Sequence, residues 1–148
     1  DPHQMERDFS VRLKFNVVEG VLHDKRVVLV DDSIVRGTTL KKLVRLLRDA
    51  GVAEIHVRIS SPPVRFPCFY GMDFPDPEEL AANRKGPAEL CKYLGADSVE
   101  YMSVEALCKS LYQPAEHFCM ACFTGEYPTE IPDYKLGKRL EKNDLQRD

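Results

Sequence analysis

The sequence predicts an α/β chain built on a parallel sheet flanked by helices, and three stretches carry that prediction. Val27, Val28, Leu29 and Val30 form a continuous apolar run, largely β-branched, the pattern of a strand buried on both faces. Leu40, Leu43, Val44 and Leu47 then recur at i, i+3, i+4 and i+7, one stripe of an amphipathic helix. Ile55, Val57 and Ile59 alternate as a second strand, completing a β-α-β unit with a right-handed crossover.

Taken in order, residues 1–10 are polar and irregular, and Val11–Val18 mixes apolar and basic residues as a short strand or a loop would. Gly20 to Lys25 reads as a turn feeding the first strand. The helix ends near Ala50, with Gly51 in place to terminate it. Lys41, Lys42, Arg45 and Arg48 mark its solvated face, and His56 falls on the polar phase of the second strand.

The stretch from Ser61 to Pro75 holds four prolines and four aromatic residues, and the prolines exclude regular helix or central strand. An irregular segment this apolar needs something to hold it. Asp76, Pro77 and Glu79 then open a short helix as N-cap, first-turn proline and capping-box acid. Gly86–Leu94 is a further helix stopped by Gly95, Val99 and Tyr101 suggest a short strand, and Ser103 caps a helix with the face Val104, Leu107, Cys108 and Leu111. Cys91 and Cys108 lie on apolar stripes as core thiols. Beyond Pro132 the tail is highly charged, mobile or weakly helical.

The chemistry begins where the first strand stops. Asp31 and Asp32 are followed by Ser33, Ile34, Val35, Arg36, Gly37, Thr38 and Thr39, a loop of mostly short side chains running into a helix. Short side chains let backbone N–H groups approach an anion, and a helix start adds unpaired donors and the positive end of its dipole. A phosphate monoester suits that place, with the Thr38 and Thr39 hydroxyls as further donors. The two carboxylates repel phosphate; they suit vicinal hydroxyls or a hard cation such as Mg²⁺. The carboxyl end of a strand is where open α/β sheets bind ligands. An interior parallel strand, with both acids beside the helix start, is the expected placement.

Composition limits the alternatives. With 148 residues the chain has one domain's worth of core, and a formal charge of −3 leaves no nucleic-acid footprint. No apolar run approaches the ~20 residues of a membrane span, and no signal-peptide pattern opens the chain. Five cysteines without secretory context favour free, buried or metal-bound thiols over a disulfide framework, and a cytoplasmic setting. The first residue is Asp1, which suggests a fragment or a processed piece.

The stretch from Val27 to Thr39 resembles the phosphoribosyl-pyrophosphate (PRPP) signature of type I phosphoribosyltransferases: an apolar run, two acids, a short loop, then Gly-Thr-Thr. Receiver-type signalling domains also end a strand in paired acids. They need no Gly-Thr-Thr loop, however, and Asp73 lacks the surroundings a receiver requires. The wording DDSIVRGTT, preceded by VRLKFN at Val11–Asn16, is similar to the amidophosphoribosyltransferase family of purine synthesis.

That resemblance implies a Rossmann-like parallel sheet with an irregular, cysteine-bearing extension: residues 1–112 as the carboxyl-terminal part of the transferase domain, and 113–148 as the extension. It implies transfer of glutamine-derived ammonia to PRPP, giving 5-phosphoribosylamine, glutamate and pyrophosphate, the committed step of purine synthesis. Asp31 and Asp32 would take the ribose hydroxyls and lie at the Mg²⁺ site, and residues 33–39 would cradle the 5′-phosphate. Arg7 could approach the ligand or be a solvated charge. The family's glutaminase nucleophile, pyrophosphate loop and flap have no counterpart here, so this stretch should be inactive alone. PRPP and glutamine as substrates, purine nucleotides as inhibitors and a homo-oligomer are implied in the same way. A salvage phosphoribosyltransferase and a non-enzymatic PRPP sensor are the alternatives.

Cys119 and Cys122 form a C-x-x-C between aromatic residues, a spacing shared by zinc sites, redox sites, clusters and ordinary thiols. Cys68 lies in the proline-rich segment. PCFYG and CxxCFTG resemble the places where the iron–sulfur branch of the family holds a [4Fe–4S] cluster. Cys68, Cys119 and Cys122 would then be ligands, with the fourth upstream. Zinc held by the three thiols and His117 is the alternative. Either way their sulfurs should converge.

Overall fold

The computed structural model describes residues 19–131 apart from Asp73 and Pro75. Arg7, Val11–Val18 and the charged tail beyond Pro132 lie outside the described residues, and so do the expectations for them.

Among the described residues, three parallel strands form the sheet in the order β1 (Arg26–Asp31), β2 (Glu54–Ile59), β3 (Ser98–Tyr101). Val27 faces Ile55 and Leu29 faces Val57 across the first pair; Val57 faces Val99 and Ile59 faces Tyr101 across the second. These residues therefore share one face of the sheet, since alternate residues point the same way. The helices Thr38–Asp49 and Pro87–Leu94 supply Leu40, Val44, Leu47, Leu90 and Leu94 to the same core, where Ile55 and Val57 are fully buried. Each such aliphatic side chain contributes about 2 kcal/mol relative to exposure. The β-α-β unit and the helix boundaries are as the periodicity predicts. Gly51 and Gly95 close the two helices in the left-handed conformation that glycine adopts freely.

The other face of the sheet differs from expectation. Val28 is 61% and Val30 68% exposed, and β1 is an edge strand among the described residues rather than an interior one. A run of four apolar residues records hydrophobicity but not the partner that covers it. Only the Val27 and Leu29 side of the run finds its cover here. The open face is otherwise polar: Arg26 donates to Glu54 at 2.7 Å, and His56 sits between Ser98 Oγ at 2.9 Å and Glu54 at 3.0 Å. His56 is thus hydrogen-bonded, as its polar phase predicts. Among the described residues no helix is long and apolar enough to cross a membrane.

Smaller elements follow the sequence with adjustments. The Gly20–Lys25 turn contains a one-turn helix, Glu19–Leu22, and the segment after Asp76 is a 3₁₀ turn, Pro77–Glu79, with no side-chain cap. Ser103 Oγ accepts from Ala106 N at 3.0 Å, as an N-cap should. The helix it opens, Val104–Ser110, buries none of its residues fully, so Cys108 is half-buried rather than a core thiol. Cys91 is also half-buried; its thiol donates to Ala96 O at 3.1 Å.

Candidate functional site

The loop between β1 and the Thr38–Asp49 helix encloses a concavity of about 360 Å³ lined by residues 31–40 without a gap. It lies at the carboxyl end of β1, because Asp31 is the last residue of that strand. Gly37 occupies the N-cap position at φ 76°, and no side chain caps the helix. The first-turn N–H groups therefore face the concavity without an internal partner. No acidic residue occupies that first turn. The positive end of a twelve-residue helix, with no acid in its own first turn, opens onto a concavity large enough for a sugar phosphate.

The acids are placed differently from one another. Asp31 is half-buried, and its Oδ1 accepts from the Asp32 N–H at 3.0 Å. Its carbonyl accepts from Ser60 N at 3.0 Å, which ties the strand end to the end of β2. Asp32 is exposed, and Ser33 Oγ donates to its Oδ1 at 3.1 Å. Two carboxylates and a helix dipole end lining one concavity give a polarised site, in which hydroxyls or a cation suit the acids and an anion suits the helix start.

Not every residue predicted to line the site offers its side chain to it. Ile34 is 2% exposed and packs in the core, so its contribution to a ligand is confined to the backbone. Val35 is half-buried, and its carbonyl accepts from Ala81 N at 2.7 Å. Thr38 and Thr39 are exposed, and Arg36 pairs through Nε with Glu79 at 2.7 Å. The loop is thus held from beneath by Ile34 and from the side by residues 79–81.

The cysteine segments do come together. The Arg65 and Phe66 N–H groups both donate to Cys122 O, at 2.9 and 3.1 Å. Tyr127 packs against Phe69 at 5.0 Å between centroids with the rings tilted by 51°, and its hydroxyl donates to Pro67 O at 2.8 Å. Burial, then the neighbouring Cys119 and Cys68, push the Cys122 thiol up. Burial, with Cys68 and Cys122 next in weight, pushes Tyr127 up to about 12. The three thiols therefore occupy one electrostatic neighbourhood. Yet among the described residues no three His, Cys, Asp or Glu side chains stand close enough to hold one metal ion. A preformed zinc site of three thiols and His117 is not present, and His117 is exposed.

Several structural residues carry no signal in the sequence. Arg48, on the face read as solvated, donates to Ala53 O at 2.9 Å and Gly95 O at 3.2 Å and pairs with Asp97. Asp97 also accepts from Ile55 N at 2.6 Å; that bond first, and Arg48 after it, hold its carboxyl below the usual range. Lys41 and Lys85 flank the Tyr93 ring at 4.2 and 4.5 Å. Asn83 donates to Arg65 O and Pro77 O, at 2.8 and 3.0 Å. Each is a single polar residue whose partners are mostly distant in sequence, so no local pattern identifies it.

Residues 4–60 match the phosphoribosyl transferase domain. The chain is 51% identical over 136 residues to amidophosphoribosyltransferase 1, chloroplastic, of Arabidopsis thaliana, covering 92% of this chain and 24% of that protein. It is 47% identical over 145 residues to the amidophosphoribosyltransferase of Mycobacterium leprae, covering 94% and 26%. Among solved structures it resembles the glutamine PRPP amidotransferase from B. subtilis complexed with ADP and GMP. The TM-score there is 0.70 at 50% identity, over 78% of this chain and 26% of that one. The chain spans about a quarter of the length of these relatives.

Proposed function

We propose that this homologue of the amidophosphoribosyltransferases supplies the sugar-phosphate cradle of an enzyme that transfers glutamine-derived ammonia to PRPP. The products are 5-phosphoribosylamine, glutamate and pyrophosphate. The observation that supports this most directly is the uncapped helix start lining the same concavity as Asp31 and Asp32. A ribose 5-phosphate group spans such a site, with its phosphate on the 33–39 backbone and its hydroxyls on the carboxylates.

The reaction asks mainly for positioning. The ammonia nitrogen attacks C1, the bond from C1 to the pyrophosphate oxygen breaks, and pyrophosphate departs with the electron pair while the nitrogen loses a proton. Holding the phosphate at the Gly37–Thr39 corner and the hydroxyls at Asp31 and Asp32 fixes C1 for in-line attack. Mg²⁺, carried on PRPP and approached by the two carboxylates, would neutralise the leaving pyrophosphate. Residues 31–40 contribute no glutaminase group, so ammonia must come from elsewhere in the protein.

Cys68, Cys119 and Cys122 form a thiol donor set suited to a [4Fe–4S] group rather than to one ion. The reading is supported by the packing of their two segments, where Arg65 and Phe66 donate to Cys122 O, and by the thiol-only donor set that a cluster takes. When bound, such a group would tie the 65–70 and 119–129 segments together; its role is structural. Purine nucleotides share the phosphate chemistry of the cradle and are proposed as inhibitors that compete there.

The test is glutamine-dependent pyrophosphate release by the full-length protein, with PRPP and Mg²⁺ supplied. Release that requires glutamine or ammonia supports the reading. Release that requires a purine or pyrimidine base instead would make the protein a salvage enzyme, and PRPP binding without release would make it a sensor.

A further inference from the structure

The geometry points to Glu79 as a positioning residue of the phosphate cradle, acting through Arg36. This rests on the sugar-phosphate reading of the site. Among the described residues that line the concavity, Arg36 supplies the only cationic side chain, and Glu79 is not one of them. Arg36 donates through Nε to Glu79 Oε2 at 2.7 Å across 43 residues of sequence. A guanidinium has five N–H donors in a rigid fork, so engaging Nε from outside leaves the terminal nitrogens for an anion. Both side chains are about half exposed, at 54% and 51%, so Arg36 would sweep many rotamers without that partner.

Glu79 can hold a fixed point because its own segment is anchored. Ala81 N donates to Val35 O at 2.7 Å, one residue from Arg36, and Leu80 and Ala81 are buried at 0% and 3% exposure. Asn83 fastens the same turn through Pro77 O and reaches Arg65 O, whose N–H in turn donates to Cys122 O. The cradle's cation is therefore oriented by a brace built on the far side of the proline-rich segment.

The sign of the effect separates positioning from simple charge. Glu79 carries the same charge sign as phosphate. Acting through its field alone, it would weaken phosphate binding, and Glu79→Gln would tighten it. Acting through Arg36, it strengthens binding, and Glu79→Gln loosens it.

The experiment is calorimetric titration of ribose 5-phosphate into the full-length protein at fixed ionic strength, with Glu79→Gln, Glu79→Asp, Arg36→Ala and the double variant Glu79→Gln/Arg36→Ala. Affinity should fall on the order of three- to tenfold in Glu79→Gln, less in Glu79→Asp, and no further in the double variant than in Arg36→Ala. Binding by Glu79→Gln as tight as wild type, or tighter, overturns the proposal and leaves the cradle reading intact. So does additive loss in the double variant. A wild-type protein indifferent to ribose 5-phosphate removes the cradle reading and this role together.

Discussion

The proposed phosphate loop and the cysteine region are built on opposite plans. The site is ten consecutive residues running from the end of a strand into the first turn of a helix, so its geometry follows from local rules: a strand end, a glycine at φ 76°, an uncapped helix. The cysteine region joins two irregular segments, with Arg65 and Phe66 bonded to Cys122 and Tyr127 closing on Phe69 and Pro67. Its fixed points are tilted aromatic contacts and a few backbone bonds, and its regular structure around the C-x-x-C is a single helical turn, Ala121–Thr124. A local site withstands the loss of one contact; an assembled one depends on whatever ties its parts. Perturbations should therefore grade differently in the two places.

The largest effect belongs to the assembled region. Cys119→Ser in the full-length protein should abolish stoichiometric iron and acid-labile sulfide and make the 65–70 and 119–129 segments cleavable by protease. Loss of one thiolate removes the tie for both. Iron and sulfide retained at wild-type stoichiometry, or zinc bound without sulfide, would make the contrast between the two regions one of packing alone.

Next is the acid pair. Asp32→Asn should lower PRPP-dependent pyrophosphate release on the order of ten- to a hundredfold, the range of a lost charge-assisted bond. Glutamine hydrolysis and the melting temperature should stay near wild type, because Asp32 is exposed and its carboxylate is bonded to the adjacent Ser33 rather than to a distant element. A variant that loses folding along with activity would show that the pair serves the strand rather than the ligand.

Gly37→Ala isolates the backbone. A Cβ there meets Ile34, Tyr93 and Leu94 at 3.5 to 3.7 Å, which is ordinary contact, so space is not the obstacle. The conformation is: φ 76° costs a non-glycine residue about 1 to 2 kcal/mol. Denaturant unfolding should show that loss, and ribose 5-phosphate affinity should fall with it as the helix start reorients. An unchanged midpoint with unchanged affinity would mean the loop is softer than a local plan requires.

What the sequence makes legible divides along the same line. Val27–Val30, the Leu40–Leu47 stripe and the alternation at Ile55–Ile59 are local patterns, and they locate the β-α-β unit and residues 31–39 at its mouth. Cys68 can be grouped with Cys119 and Cys122 because irregular apolar segments need a common anchor. The ties between regions are not legible. Glu79, Asn83, Arg48 and Asp97 are ordinary polar residues in sequence, and their partners lie up to 49 positions away. The exposure of Val28 and Val30 escapes the sequence for a related reason, since a continuous apolar run has no phase that marks one face as open.

The smallest effect concerns one of those ties, and pH exposes it. Asp97 accepts from Ile55 N, which with the Arg48 pair lowers its folded carboxyl below the ordinary value near 3.8. A depressed carboxylate adds stability that is complete above the unfolded value and disappears as pH falls through the folded one. Asp97→Asn keeps an oxygen to accept from Ile55 but removes the charge that Arg48 meets. The pair is partly exposed, at 34% and 40%, so solvent screens it and the loss should be about 0.5 kcal/mol. Stability of wild type minus variant should then be flat above about pH 5 and shrink below about pH 4, when protonation makes the two side chains electrically alike. A difference that persists into acid would assign the effect to packing at the Gly95 turn instead. In that case the helix and β3 are joined by shape, as the core is, and the cysteine region alone depends on single contacts.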